Sequence, residues 1–299
     1  MPNPFALIKK LGFACALHKM KRRIFINDKD IISKISINGA YDYLQKYKYA
    51  LDFPIEQCSS DSPNPYPDKI WTMWLQGVEN APELIQKCVA SVKKYYGNEV
   101  IVLTHENIHD FVEIPDVIIE KHQKGIISNT HFADFVRFLV IEKYGGLWLD
   151  GTTFLLDSIP DYIRFADIFF YRNVNEKLRA SVGVIAAKPH HPLISKTIIM
   201  MLEYWKNENR LVSYSITMLL FAMVVNNSAE MRSVYNQIPH LEAINKSLLL
   251  LKLFEKYDET HLVAIKQQSV IQQLSWKFSK EKYELEGTFY DKLIKKIKI

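Results

Sequence analysis

Cysteine is scarce. Cys15, Cys58 and Cys88 are far apart and odd in number in a chain of 299 residues, which excludes a disulfide framework or a zinc knuckle. Such usage fits a reducing compartment. Glycine is also sparse, at 10 residues. No Walker loop, dinucleotide glycine fingerprint or nucleophile elbow is present, so the signatures of those enzyme classes are missing. The charge bias is small: 38 basic against 33 acidic side chains, a net +5. That suits an anionic ligand or membrane surface but does not argue for nucleic acid, and no nucleic-acid-binding signature accompanies it. Long apolar runs are missing too. The N-terminal "LGFACAL" is seven residues, at 11–17. The uncharged stretch 211–229 is broken by Ser213, Tyr214, Ser215, Thr217, Asn226 and Asn227. A membrane span needs roughly 20 apolar residues, so a buried core helix is the favoured reading of that stretch. Neither a secretory signal nor a spanning helix is expected.

What is there is apolar bulk: 48% hydrophobic residues, enough for a large core. Residues 1–67 read as a basic helical arm closed by the proline-rich linker "CSSDSPNPYPDK" (58–69). A main domain is expected over 68–280 and a basic tail over 281–299. "KIWTMWLQG" (69–77) reads as a strand and "APELIQKCVASVKKYY" (81–96) as a helix with Pro82 in its first turn. "EVIVLT" (99–104) is a second strand, and "HENIHDFV" begins another helix. This alternation predicts an α/β fold with a parallel sheet, whose ligands sit at the carboxyl ends of strands. Loops near Gln76 and Thr104 are therefore ligand candidates. Further on, 166–173 and 181–189 read as strands, and 191–209, 211–226 and 244–257 as helices.

The centre of the chain carries the chemistry. "SNTHFADFVRFLVIEKYGG" (128–146) is a helix capped by Ser128 or Asn129 and ended by Gly145 and Gly146, which turn it into the strand "LWLD". Asp150 then stands at a strand's carboxyl end, where a carboxylate needs a cation or a hydrogen-bond donor. A divalent ion bridging to a diphosphate would satisfy it; so would a helix cap or a loop hydrogen bond. Asp134 and Arg137 share a helix face inside an aromatic run, as an ion pair or as a ligand-facing pair. "PHHP" (189–192) reads as a loop before a helix rather than a metal site, since no spaced ligands accompany it.

"HFADFVRFLVIEKYGGLWLDGTTF" resembles the central motif of the capsular polysaccharide synthesis glycosyltransferases, relatives of the DxD enzymes of glycosyltransferase family 32. Asp134, Arg137, Tyr144, Gly145, Gly146 and Asp150 match the pattern, and the resemblance covers roughly 68 to 280. It implies a GT-A-like, Rossmann-type nucleotide-sugar-binding fold with added terminal helices. It also implies a retaining hexosyltransferase that moves a sugar from a nucleotide-diphosphate donor to a hydroxyl of a growing capsular or other surface polysaccharide. Asp150, Arg137 and Asp134 would be the catalytic residues. Trp71, Trp74, Gln76, Thr104, Gly145 and Gly146 would join them around the donor. Asp150 would hold Mn²⁺ or Mg²⁺. Two departures weaken the metal: Thr152 replaces the second acid of the DxD, and "SVIQQLSWKF" (269–278) puts Gln272 or Gln273 where relatives often carry histidine. These departures also support the alternative, a non-catalytic glycan- or nucleotide-binding protein that kept the fold.

The resemblance implies a glycan or lipid-linked glycan acceptor and cytoplasmic work at the inner membrane face. "FYDKLIKKIKI" (289–299) reads as a short basic amphipathic helix that would dock on an anionic membrane, helped by "FALIKKLGF" near the N-terminus.

Overall fold

The computed structural model describes residues 29–55 and 69–298. Cys15, Cys58, the N-terminal basic run and the prolines of the linker lie outside the described residues.

The chain begins with α1 (Lys29–Leu44), which runs into a 3-10 helix, Gln45–Asp52. Then come β1 (Ile70–Met73), α2 (Glu83–Tyr96), β2 (Val100–Leu103), α3 (Asn129–Tyr144) and β3 (Gly146–Leu149). The second half contributes β4 (Thr153–Leu155), β5 (Ile168–Arg172), β6 (Ala180–Ala187), α4 (Pro192–Asn207), α5 (Ile216–Asn227), α6 (Glu259–Gln268) and β7 (Ile271–Gln273).

Five strands form one sheet in the order β2-β1-β3-β6-β5. β1 pairs in parallel with both β2 and β3, whereas β6 runs antiparallel to β3 and to β5. The chain leaves β1 toward β2 and returns past it to β3. Right-handed crossovers then put α2 and α3 on opposite faces, and the order reverses between β1 and β3. Such a reversal opens a crevice at the carboxyl ends of the two strands. β4 and β7 make a separate antiparallel pair, with Thr153 opposite Gln273. That pairing carries a segment from the far end of the chain to the mouth of the crevice.

Punctuation follows local chemistry. Ser128 caps α3, its hydroxyl accepting from the His131 amide. Gly145 ends α3 at φ +66°, and a Cβ there would sit 2.7 Å from Pro189 Cδ and 2.8 Å from the Ala187 carbonyl. Helix, turn and strand are therefore closer together than any other residue allows. α5 is a 12-residue helix buried almost all round, and no helix among the described residues is long and apolar enough to cross a membrane. At 189–191 the chain forms the expected loop, with His191 capping α4 and Pro192 opening the helix.

Several boundaries differ from expectation. β1 stops at Met73 and not near Gly77, because residues 74–77 close a turn in which the Gly77 amide donates to the Trp74 carbonyl at 2.9 Å. Pro82 precedes α2 and does not enter its first turn. The helix after β2 is a single turn, Ile108–Phe111. The stretch 244–257 divides into a 3-10 turn, Asn245–Ser247, and a short helix, Leu248–Lys252.

The C-terminus needs a larger correction. It is not a free amphipathic helix. Residues Tyr290–Ile294 form one π-helical turn, with Phe289, Tyr290 and Ile294 buried. They belong to a second core that includes Cys88, Leu249, Leu253 and Leu274. Lys87 Nζ donates to the carbonyls of Ile297 at 2.7 Å and Lys295 at 3.2 Å, completing the attachment. The apolar face expected to enter a membrane is already covered by protein.

Candidate active site

Asp150 follows β3 directly, at the sheet's reversal point. Its amide donates to the Gly183 carbonyl of β6 at 2.9 Å, which fixes its backbone. Its Oδ1 accepts from Trp148 Nε1 at 2.9 Å and pairs with an Arg137 nitrogen at 3.0 Å. Its Oδ2 accepts from Gln273 Nε2 at 3.0 Å. The same Arg137 nitrogen meets Asp134 Oδ1 at 2.8 Å, one helical turn back, and Arg137 also donates to the Val182 carbonyl. Asp134 Oδ2 accepts from the Thr217 hydroxyl of α5 at 2.8 Å. Arg137 is thus both halves of the earlier alternative: it holds an intrahelical ion pair and lines the cleft. Buried charges survive only when paired and hydrogen-bonded, and this network satisfies both carboxylates.

Burial pushes the Asp150 carboxyl above its ordinary range, while Arg137 and the Trp148 indole pull it back. Lys246 lies behind Gln273 and is 4% exposed. Its ammonium donates to Gln273 Oε1. Burial lowers its pKa to about 8, against the opposing pull of Asp150. A proton-bearing chain therefore runs from Lys246 through the Gln273 amide to Asp150.

The carboxylate faces a cleft of about 660 Å³. Trp74 and Trp276 form one wall, edge to face with ring centroids 6.4 Å apart. Gln76 and Asn80 also line it, and Asn129 and Thr130 bring in the first turn of α3. A helix N-terminus favours negative charge nearby. A smaller recess of about 150 Å³ shares Arg137 and Asp150 with the cleft and is lined further by Asp134, Ser181, Tyr214 and Thr217 among others. Aromatic walls, a guanidinium and a helix N-terminus together suit a ligand with a flat ring and an anionic part. Among the described residues, no three His, Cys, Asp or Glu side chains are grouped as a metal ion would need.

A family model described as capsular polysaccharide synthesis protein matches residues 20–293. The chain belongs to that family. The O-glycosyltransferase PaGT of Phomopsis amygdali is 32% identical over 102 residues, 31% of this chain and 25% of that protein. The putative glycosyltransferase HOC1 of Saccharomyces cerevisiae is 26% identical over 179 residues, 52% of this chain and 43% of that protein. The chain thus spans a quarter to less than half of the length of those curated relatives. The solved PaToxG glycosyltransferase is a loose match, 15% identical with a TM-score of 0.37, covering 88% of this chain and 95% of that one.

Of the residues singled out by sequence in this family member, Asp150, Arg137, Trp74, Gln76 and Thr152 line the cleft, and Asp134 lines the recess. Four others do not. Trp71 is a core residue: its ring packs on Phe111 and Tyr144, and its Nε1 donates to the Gly145 carbonyl at 3.0 Å. Gly145 and Gly146 sit at the amino end of β3, the strand's length away from Asp150. The Thr104 hydroxyl is turned into its own loop, accepting from the Glu106 amide at 3.2 Å. The open choice between Gln272 and Gln273 falls to Gln273. Gln272 is fully buried and bonded to the backbone of Leu249, Asn245 and Ser269.

Sequence reasoning missed Lys246, Tyr214, Trp276 and Gly183. Gly183 left a signal, because a glycine inside a strand marks a close approach. A Cβ there would lie 2.7 Å from Asp150 Oδ2 and 2.8 Å from Gln273 Nε2. Lys246 left none; it is one lysine among many.

Proposed function

We propose that the chain is a glycosyltransferase that moves a hexosyl group from a nucleoside-diphosphate sugar to a hydroxyl of a capsular or other surface glycan, on a GT-A-like fold. The observation that carries this reading is the Asp134–Arg137–Asp150 network at the sheet's reversal point, opening on a cleft walled by Trp74 and Trp276 in a member of this family. The flat walls suit the base, and the recess beside Asp134 suits the sugar. In the transfer, the bond from the sugar's anomeric carbon to the diphosphate breaks with its electron pair going to phosphate. A bond from the acceptor oxygen forms, and the acceptor's proton leaves to solvent or phosphate. Arg137 and the first turn of α3 stabilise the charge that develops on the diphosphate, as pre-aimed donors do. Asp150 and Asp134 keep Arg137 in place and offer acceptors to ribose and sugar hydroxyls. Retention of anomeric configuration rests on the family resemblance.

The acceptor is proposed to be a glycan on a lipid carrier at the cytoplasmic membrane face. Lys292, Lys295, Lys296 and Lys298 are exposed and offer an electrostatic contact to anionic lipid, without insertion. A thermal-shift screen of nucleotide sugars, followed by donor hydrolysis without acceptor, tests the reading. A saturating donor at 100 times its dissociation constant adds about 2.7 kcal/mol. Stabilisation with slow hydrolysis supports a transferase; stabilisation without any turnover supports a binding-only protein; no stabilisation by any donor overturns the reading.

A further inference from the structure

We infer that this site binds its diphosphate ligand without a resident divalent cation, the counter-charge coming from Arg137 and from Lys246 acting through Gln273. The identity of the ligand rests on the glycosyltransferase reading; the statement about metal does not.

The donor set is the first reason. Asp150 is one carboxylate, and a divalent cation prefers several oxygen ligands, with carboxylates contributing most. Thr152 offers only a hydroxyl where the motif has its second acid. Asp150 itself is already engaged, with two donors on Oδ1 and one on Oδ2.

The orientation of Gln273 is the second reason. An amide could offer a metal its carbonyl oxygen, but here that oxygen accepts from the Lys246 ammonium and the NH₂ is turned to Asp150. An ammonium has only donors, so a flipped amide would set NH₂ against NH₃⁺ and leave Asp150 facing an oxygen. Lys246 is a positioning residue that locks the amide in its non-ligating orientation. The arrangement is built in, since only a glycine at 183 leaves room for Asp150 and Gln273 to meet.

Charge balance is the third reason. The carboxylates of Asp134 and Asp150 face the cations Arg137 and Lys246, so the cluster is near neutral before any ligand arrives. With both carboxylates already paired to Arg137, neither offers a divalent cation an uncompensated charge.

Calorimetric titration of Mn²⁺ alone into the full chain tests the metal statement directly. Wild type is expected to show no site tighter than about 1 mM, the weak end of carboxylate sites. Gln273→Glu, which places a second carboxylate beside Asp150, is expected to gain one. A wild-type Mn²⁺ site clearly tighter than about 1 mM overturns the inference. The second arm titrates UDP, GDP, CDP and ADP with and without chelator. For any that bind, affinity should change less than about twofold with chelator, and Lys246→Met should weaken it about tenfold, or 1.4 kcal/mol. Loss of binding on chelation overturns the inference, as does full affinity in a folded Lys246→Met protein. If no diphosphate binds under either condition, the glycosyltransferase reading fails while the Mn²⁺ titration still decides the metal question.

Discussion

Asp150 and Lys246 are the two side chains whose charge decides what the cleft can hold. Asp150→Asn keeps the shape but removes the charge that orients Arg137. Transfer should fall by about 10² to 10³, the usual cost of one misplaced electrostatic group in an active site. The melting temperature should move by a few degrees at most, because burial already disfavours the ionised form. Near-wild-type kcat in this variant would sink the site assignment. Lys246 gives a pH signature. Its folded pKa, about 8, lies below the free value of 10.5. Between those values the unfolded chain binds more protons, so stability should rise as pH goes from about 8 to 10.5 and be flat below. Denaturant midpoints across that window should show a smaller rise in Lys246→Met; an identical rise would mean that other groups titrate there.

At the scale of elements, the join between the N-terminal arm and the domain is the clearest test. Glu208, just past α4, accepts from Lys46 at 2.7 Å and Tyr47 at 2.9 Å, and also from Tyr43. Burial pushes its carboxyl up, but Lys46, Tyr43 and Tyr47 together outweigh that and hold it below 4.5. A depressed acid contributes stability above its free pKa and loses it as pH falls through the folded value. Glu208→Gln should therefore melt earlier than wild type at pH 7, with the gap closing below pH 4.5. A gap that persists unchanged in acid would show that packing, not the charge, holds the arm. The helices themselves were legible: α2 and α3 have apolar residues at helical spacing, a cap or proline before them and glycine after. β7 was not, because three residues reading "IQQ" carry no periodicity, and only pairing with β4 makes them a strand.

At the scale of the molecule, the C-terminal residues Phe289, Tyr290 and Ile294 pack into the second core. Burying a large apolar side chain contributes about 1.5–3 kcal/mol, and Phe289, Tyr290 and Ile294 are all buried. A chain ending at Gly287 should lose several degrees of melting temperature and bind the dye ANS. If it melts like wild type and only loses sedimentation with anionic liposomes, the tail is an anchor after all. Liposome binding through the C-terminal lysines should vanish at high salt, since they offer charge without an inserted apolar face.

The sequence by itself determined the alternation of strands and helices, the glycine turn into β3, and the carboxylate at that strand's end. These are local matters: periodicity, caps and backbone freedom act over a few residues. Asp134 and Arg137 were legible for the same reason, being one turn apart on one helix. The tertiary structure decided what meets them. Gln273 lies 123 positions after Asp150, and Lys246 lies 27 before Gln273, and they converge only because β4 pairs with β7 beside the crevice. It also decided that Trp71 is core while Trp74, three residues on, lines the cleft, because β1 ends between them at Met73. A basic amphipathic pattern reads alike whether its apolar face meets lipid or protein. Here Cys88, Leu253 and their neighbours cover that face, and no local rule of sequence could have said so.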